Sequence, residues 1–164
     1  MRYVECYKDE TLAKRLGIPK QQIRHSPGKT KLCYGLENTT NSKGMIDEEP
    51  WSRGNEEIPY IKKLKTSNPQ GWNNLQHSIR VLDDKDKQNK LIVLCPNLEG
   101  WILEAAKEVK IDVTKSPYGL PDDKDELHKV LGTKTRNENY EKLLDAMLKA
   151  KSPMLKTLEQ LLKK

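Results

Sequence analysis

Within the first 50 residues, short apolar runs alternate with helix-forming segments, and this alternation restricts the fold more than any other feature of the chain. Arg2-Tyr3-Val4-Glu5-Cys6 reads as a strand. Lys8 to Leu16 carries good helix formers and stops at Gly17. Ile18-Pro19 breaks that helix, and Gln22-Ile23-Arg24-His25 forms a second, weaker strand ended by Ser26-Pro27-Gly28. A second helix is expected over Lys29 to Asn38, and a third strand over Lys43 to Asp47. Strand, helix, strand, helix, strand argues for a parallel sheet with right-handed crossovers.

The third strand runs into acids: Gly44-Met45-Ile46-Asp47-Glu48-Glu49-Pro50. In open α/β sheets ligands bind at the C-terminal ends of the strands. Strand alternation puts Asp47 and Glu49 on one side and Glu48 on the other. Two neighbouring carboxylates repel unless a cation lies between them, and magnesium, a hard ion with oxygen ligands, is the usual solution. An isolated acidic triplet also reads as a polar turn after a strand, so the rest of the chain decides between the two.

Residues 49–74 lose all periodicity and are expected to form an excursion over the active face or a mobile segment. Ser78 to Leu82 and Lys90 to Cys95 are strands joined by the short turn Asp83 to Asn89, an antiparallel hairpin. Asp83, Asp84 and Asp86 alternate with Lys85 and Lys87, which makes that turn self-neutralised and solvated. Asn97 caps a helix from about Leu98 to Lys110, with Leu98, Trp101, Ile102, Ala105 and Val109 along one face and Glu99 in its first turn. Three helices follow, Asp122 to Leu131, Asn137 to Lys149 and Pro153 to Leu162. Their leucine stripes pack on the sheet or on each other, or form the seam of a homo-oligomer.

A chain of 164 residues suits one domain, here 1–164, with a core over about 1–110 and a helical C-terminal extension over about 120–164. Lys and Arg exceed Asp and Glu by 30 to 24, a net +6 that mildly favours an anionic partner such as nucleic acid. Cys6, Cys33 and Cys95 are odd in number and form no C-x-x-C pair, so they read as reduced core residues of a cytoplasmic protein rather than zinc ligands. No apolar run approaches the roughly 20 residues of a membrane span, and no signal-peptide core is present.

Several chemistries are argued against by spacing. His25-Ser26-Pro27-Gly28-Lys29-Thr30 lacks the first glycine of a phosphate-binding loop, whose position is held by Ile23. Lys29 still falls where a helix N-terminus at the sheet edge welcomes an anion. His25, His77 and His128 show no metal-ligand spacing and read as surface or packing residues. No G-x-S-x-G elbow or reactive cysteine setting supports a covalent nucleophile.

What remains is a set of acids at element ends, Glu5, Asp47, Glu49 and Glu99. An acid closing the first strand and an acid-x-acid pair closing a later parallel strand resembles the Toprim domain of topoisomerases, primases and overcoming-lysogenization-defect nucleases. Asn97-Leu98-Glu99-Gly100-Trp101-Ile102-Leu103 also resembles the glutamate-x-tryptophan helix start of small stand-alone Toprim-like proteins. The resemblance covers about residues 1–110. It departs from the family in having Asp-x-Glu for the usual Asp-x-Asp, and Cys6 where a glycine commonly follows the first glutamate.

The resemblance implies an α/β fold with a Toprim/Rossmann-like, mostly parallel central sheet flanked by helices, plus the hairpin and the helical tail. It also implies a magnesium- or manganese-dependent nuclease acting on DNA or RNA. Asp47, Glu49 and Glu5 would hold the metal, and Glu5, Glu99 and Lys29 would serve catalysis. Arg53, Lys62, Lys63 and Lys65 are candidates for the phosphate backbone. The competing reading is a non-catalytic module binding nucleic acid or protein, or a subunit of a larger nucleic-acid-processing or defence complex.

Overall fold

The structure, a computed structural model, describes residues 1–49, 57–132 and 136–164. Pro50, Trp51 and Arg53 lie outside the described residues. The elements are β1 (Arg2–Val4), α1 (Tyr7–Arg15), β2 (Ile23–His25), α2 (Lys29–Glu37), β3 (Lys43–Asp47), α3 (Pro59–Ser67), α4 (Pro69–Asn73), β4 (Ile79–Asp84), β5 (Asn89–Leu94), α5 (Leu98–Glu108), α6 (Lys124–Leu131), α7 (Glu138–Lys149) and α8 (Pro153–Lys163). The strands form one mixed sheet in the order β2-β1-β3-β5-β4. Neighbours are parallel except β4, which runs antiparallel to β5 with Ile79 opposite Leu94. The expected α/β architecture, hairpin and helical tail are therefore present.

Alternation along each strand builds two cores. On β5, Ile92 and Leu94 face one layer, while Leu91 and Val93 face the other. The first layer also takes Val4, Met45, Leu12 of α1 and Leu16 at its C-terminal cap, Trp101 and Ile102 of α5, and the leucines of α6, α7 and α8. The second takes Tyr3, Ile46, Leu32 and Leu36 of α2, and Tyr60, Ile61 and Leu64 of α3. A strand buried on both faces needs an almost continuous apolar run, and Leu91-Ile92-Val93-Leu94 supplies it. Gly44 serves close packing in the same layer: a Cβ there would stand 2.8 Å from Leu32 Cδ2 and 3.1 Å from Leu36 Cδ2, so bare backbone lets α2 lie against β3.

Two sequence expectations change. Residues 59–73 form α3 and α4 rather than an aperiodic excursion. Pro59 and Pro69 stand at the first helical positions, where the missing N–H costs nothing, so they start helices instead of breaking them. Asp83 and Asp84 belong to β4, not to a solvated turn. Asp84 is buried and accepts a hydrogen bond from the Tyr60 hydroxyl at 3.0 Å, while Asp83 accepts one from Lys90 at 2.7 Å.

The leucine stripes of the tail pack inside the chain's own core: Leu143, Leu144 and Met147 of α7, with Leu155, Leu158 and Leu162 of α8, are all buried. Arg2 ties the last helix to the first strand by donating from Nε to the Leu162 carbonyl at 2.8 Å. No helix among the described residues is long and apolar enough to cross a membrane. Because Ile92 is completely buried in the central part of the sheet, Ile92→Ala is expected to reduce unfolding free energy in urea by about 2–5 kcal/mol. Lys85→Ala, at an exposed position, should stay within about 0.5 kcal/mol.

Candidate functional site

Three adjacent parallel strands deliver acids to one edge of the sheet. Glu5 follows β1, Asp47 ends β3, and the chain leaving β5 turns into α5, whose first turn carries Glu99. A cavity of about 340 Å³ opens there, lined by Glu5, Cys6, Lys8, Asp9, His25, Pro27, Gly28, Asp47 and His128. A larger open depression of about 690 Å³ lies beyond the end of α5 along Lys107, Lys110, Asp112 and Asp122. It gathers no comparable set of buried polar groups.

Asp47 is held by the backbone. The N–H of Leu98, at the start of α5, donates to its Oδ1 at 2.7 Å. Asp9 reaches back within the first turn of α1 and accepts from the Cys6 N–H at 3.1 Å and the Cys6 thiol at 3.2 Å. Glu5 differs from both. Its Oε1 is buried and has no hydrogen-bond partner among the described residues. Such an orphaned carboxylate oxygen is uncommon, since buried polar atoms are nearly always satisfied.

Crowding shifts these groups together. Burial, reinforced by Asp9 and Asp47, pushes Glu5 up to about 8 against the opposing pull of Lys29 and Lys8. Burial also raises Asp47 to about 7, with Asp9 and Glu99 adding to it. Asp9 rises to about 6, again chiefly by burial. Glu99 goes the other way: burial raises it, but the ion pair with Lys8 and the hydrogen bond from His128 more than offset that. Its carboxylate is only 1% exposed and is bonded to Lys8 Nζ and, at 2.9 Å, to His128 Nδ1.

The other sequence candidates are distributed around this cluster. β3 ends at Asp47, so the strict alternation expected for Glu48 and Glu49 does not continue into the bend that follows. Glu49 is 58% exposed, lies 3.5 Å from Lys124 and is not among the residues lining the cavity. Glu48 accepts from Arg80 Nε at 2.8 Å and from the Cys95 thiol at 3.2 Å. Lys29 is buried and donates to the Glu48 carbonyl at 3.1 Å, where burial lowers its pKa while Glu5 and Asp47 act to raise it. On α3, Lys65 pairs with Glu57 and lies 3.6 Å from the centre of the Trp72 ring, while Lys62 and Lys63 are exposed.

Lys8, Asp9 and His128 are site residues that the sequence reading does not select. The spacing of four residues between Glu5 and Asp9, across a strand-to-helix turn, is a signal that finds Asp9. Nothing local to residue 128 announces its neighbours.

Hard divalent cations take carboxylate oxygens, and the orphaned Glu5 oxygen beside Asp47 and Asp9 suits that chemistry. Yet among the described residues no group of three or more His, Cys, Asp or Glu is spaced to hold a metal ion. The donors fit in kind, without forming a closed cage. No protein family, curated protein sequence or solved structure matches the chain.

The raised carboxyls have a consequence for stability. An acid whose folded pKa is raised keeps its proton where the unfolded chain, near pH 4, has already lost it. Its contribution is therefore present at low pH and is lost as pH rises through the folded value, about 7 for Asp47. Asp47→Asn is expected to flatten the fall in stability between pH 5 and 8 and to raise Tm at pH 8 by several degrees without added metal. Thermal unfolding across that range checks it; an unchanged slope would contradict the assignment.

Proposed function

We propose that the protein is a metal-dependent phosphodiesterase acting on DNA or RNA, with its reaction centre in the cavity at the C-terminal edge of the sheet. The observation that carries the reading is the buried, unbonded Oε1 of Glu5 among the carboxylates of Asp47 and Asp9. Uncompensated buried carboxylates repel one another and lose hydration, and a hard divalent cation relieves both costs. Glu5 and Asp47 are the residues assigned to hold it, with Asp9 beside them. Glu49, turned toward Lys124, is not included.

Bound magnesium or manganese supplies charge neutralisation at a phosphoryl group and a more acidic water. The chain's own residues do the rest. Lys8 and Lys29 keep the buried negative charge from accumulating, and the α5 backbone fixes Asp47 through the Leu98 N–H. His25 and Gly28, at the cavity wall and exposed, are open to the phosphate backbone of a bound strand. Its net charge of +6 favours such a polyanion. Three free cysteines suit the reducing cytoplasm.

A second reading, a non-catalytic nucleic-acid-binding module, is favoured by the lack of a three-donor metal cage among the described residues. The two separate on calorimetric titration with Mg²⁺ and Mn²⁺ together with cleavage of plasmid and single-stranded substrates. The enzyme reading expects metal binding that Glu5→Gln and Asp47→Ala weaken, and cleavage that both reduce by roughly 100-fold or more. Full cleavage by pure Asp47→Ala protein would remove this centre from the reaction. Nucleic-acid binding with no metal affinity would select the module.

A further inference from the structure

The histidine read from sequence as a surface or packing residue stands in a different setting in the folded chain. His128 lies on α6, which Leu127 and Leu131 anchor in the core and Asp123 caps through the N–H groups of Asp125 and Glu126 at 3.0 Å. The ring lines the same cavity as Glu5, Asp9 and Asp47, and its side chain is 59% exposed. Nδ1 is 2.9 Å from Oε1 of Glu99, a carboxylate that is only 1% exposed. Nδ1 is also 3.0 Å from Lys8 Nζ, and Nε2 has no hydrogen bond among the described residues.

The proton on this ring can be assigned from these contacts. A lone pair on Nδ1 would face the charged Glu99 oxygen at hydrogen-bonding distance, which is repulsive. A proton on Nδ1 donates to that oxygen, and the Lys8 ammonium can direct its own protons toward Glu99 instead. The neutral ring therefore carries its proton on Nδ1 and leaves the Nε2 lone pair for the cavity. A buried carboxylate that fixes the tautomer and orientation of an accessible histidine is the arrangement by which imidazole serves as a general base.

We propose that Glu99 and His128 form a catalytic dyad, with His128 Nε2 as the proton acceptor for the water that attacks the phosphodiester, and with Glu99 as its positioning residue. The proposal rests on the phosphodiesterase reading and names a residue of that same site. As the water oxygen bonds to phosphorus, one of its protons passes to Nε2. The bond from phosphorus to the leaving ester oxygen breaks, and that oxygen takes a proton from solvent. The imidazolium, held by Glu99, then returns its proton to solvent. Lys8 holds Glu99 ionised throughout. The charged and titratable groups that line the cavity with the ring are Lys8 and Asp9 from α1, Glu5 after β1, His25 from β2 and Asp47 from β3, and Glu99 from α5 is bonded to it.

The test uses the full chain with Mn²⁺, a single-stranded DNA oligonucleotide and bis-p-nitrophenyl phosphate. His128→Gln is expected to lower kcat by roughly 10²–10⁴-fold and to leave KM and calorimetric Mn²⁺ binding unchanged. Added imidazole should restore part of the rate. Wild-type turnover that survives His128→Gln overturns the dyad and leaves the phosphodiesterase reading intact. A wild type inactive on both substrates overturns both. Independently of turnover, ¹⁵N shifts of the ring should report a proton on Nδ1 that Glu99→Gln weakens. A proton on Nε2 in the neutral wild-type ring overturns the dyad whatever the rates.

Discussion

The molecule depends on a strand that is buried on both faces. β5 must offer apolar side chains in both directions, and Leu91-Ile92-Val93-Leu94 does so with no polar interruption. That requirement puts β5 inside the sheet, where β3 pairs parallel to it and β1 parallel to β3. Parallel neighbours end at the same edge. Glu5, Asp47 and Glu99 are far apart in sequence and meet because three adjacent strands stop there.

Bringing carboxylates together in a half-buried cavity opposes folding, and the structure compensates in two different ways. Glu99 is paired with the Lys8 ammonium, is hydrogen-bonded to His128 and stays ionised. Glu5, Asp47 and Asp9 are less well served, and burial drives each toward holding a proton. The divergence separates roles within one cavity: a group with its charge already matched can orient a neighbour, while groups left wanting positive charge suit a cation. Glu99 and Glu5 are both acids at the ends of neighbouring elements, and only their surroundings distinguish them.

Much of this was legible in the chain. Asn97 caps α5 through the Gly100 N–H as its position suggested, and the apolar run of β5 and the stop at Gly17 marked real boundaries. The element boundaries read from the chain put Glu5, Asp47 and Glu99 at element ends, where they are. Reading failed where a residue's role is set by distant partners. Residues 59–73 looked aperiodic, yet Pro59 and Pro69 hold first helical positions, where the missing N–H is harmless. Asp84 looked solvated because the sequence around it is charged, and Tyr60, which buries it, lies 24 residues away. Extending strand alternation past Asp47 paired Glu49 with it, but the chain bends there and Lys124 takes Glu49. His128 meets Glu99 across 29 residues, with no motif to announce it.

The most direct test of the account is a crystal of the full chain soaked in manganese, with anomalous diffraction recorded at the manganese edge. The account expects a peak beside Glu5 Oε1 and the carboxylate of Asp47, absent from the Glu5→Gln variant. A cavity without a peak in ordered crystals, or a peak held by Glu49 on the Lys124 side, would contradict it.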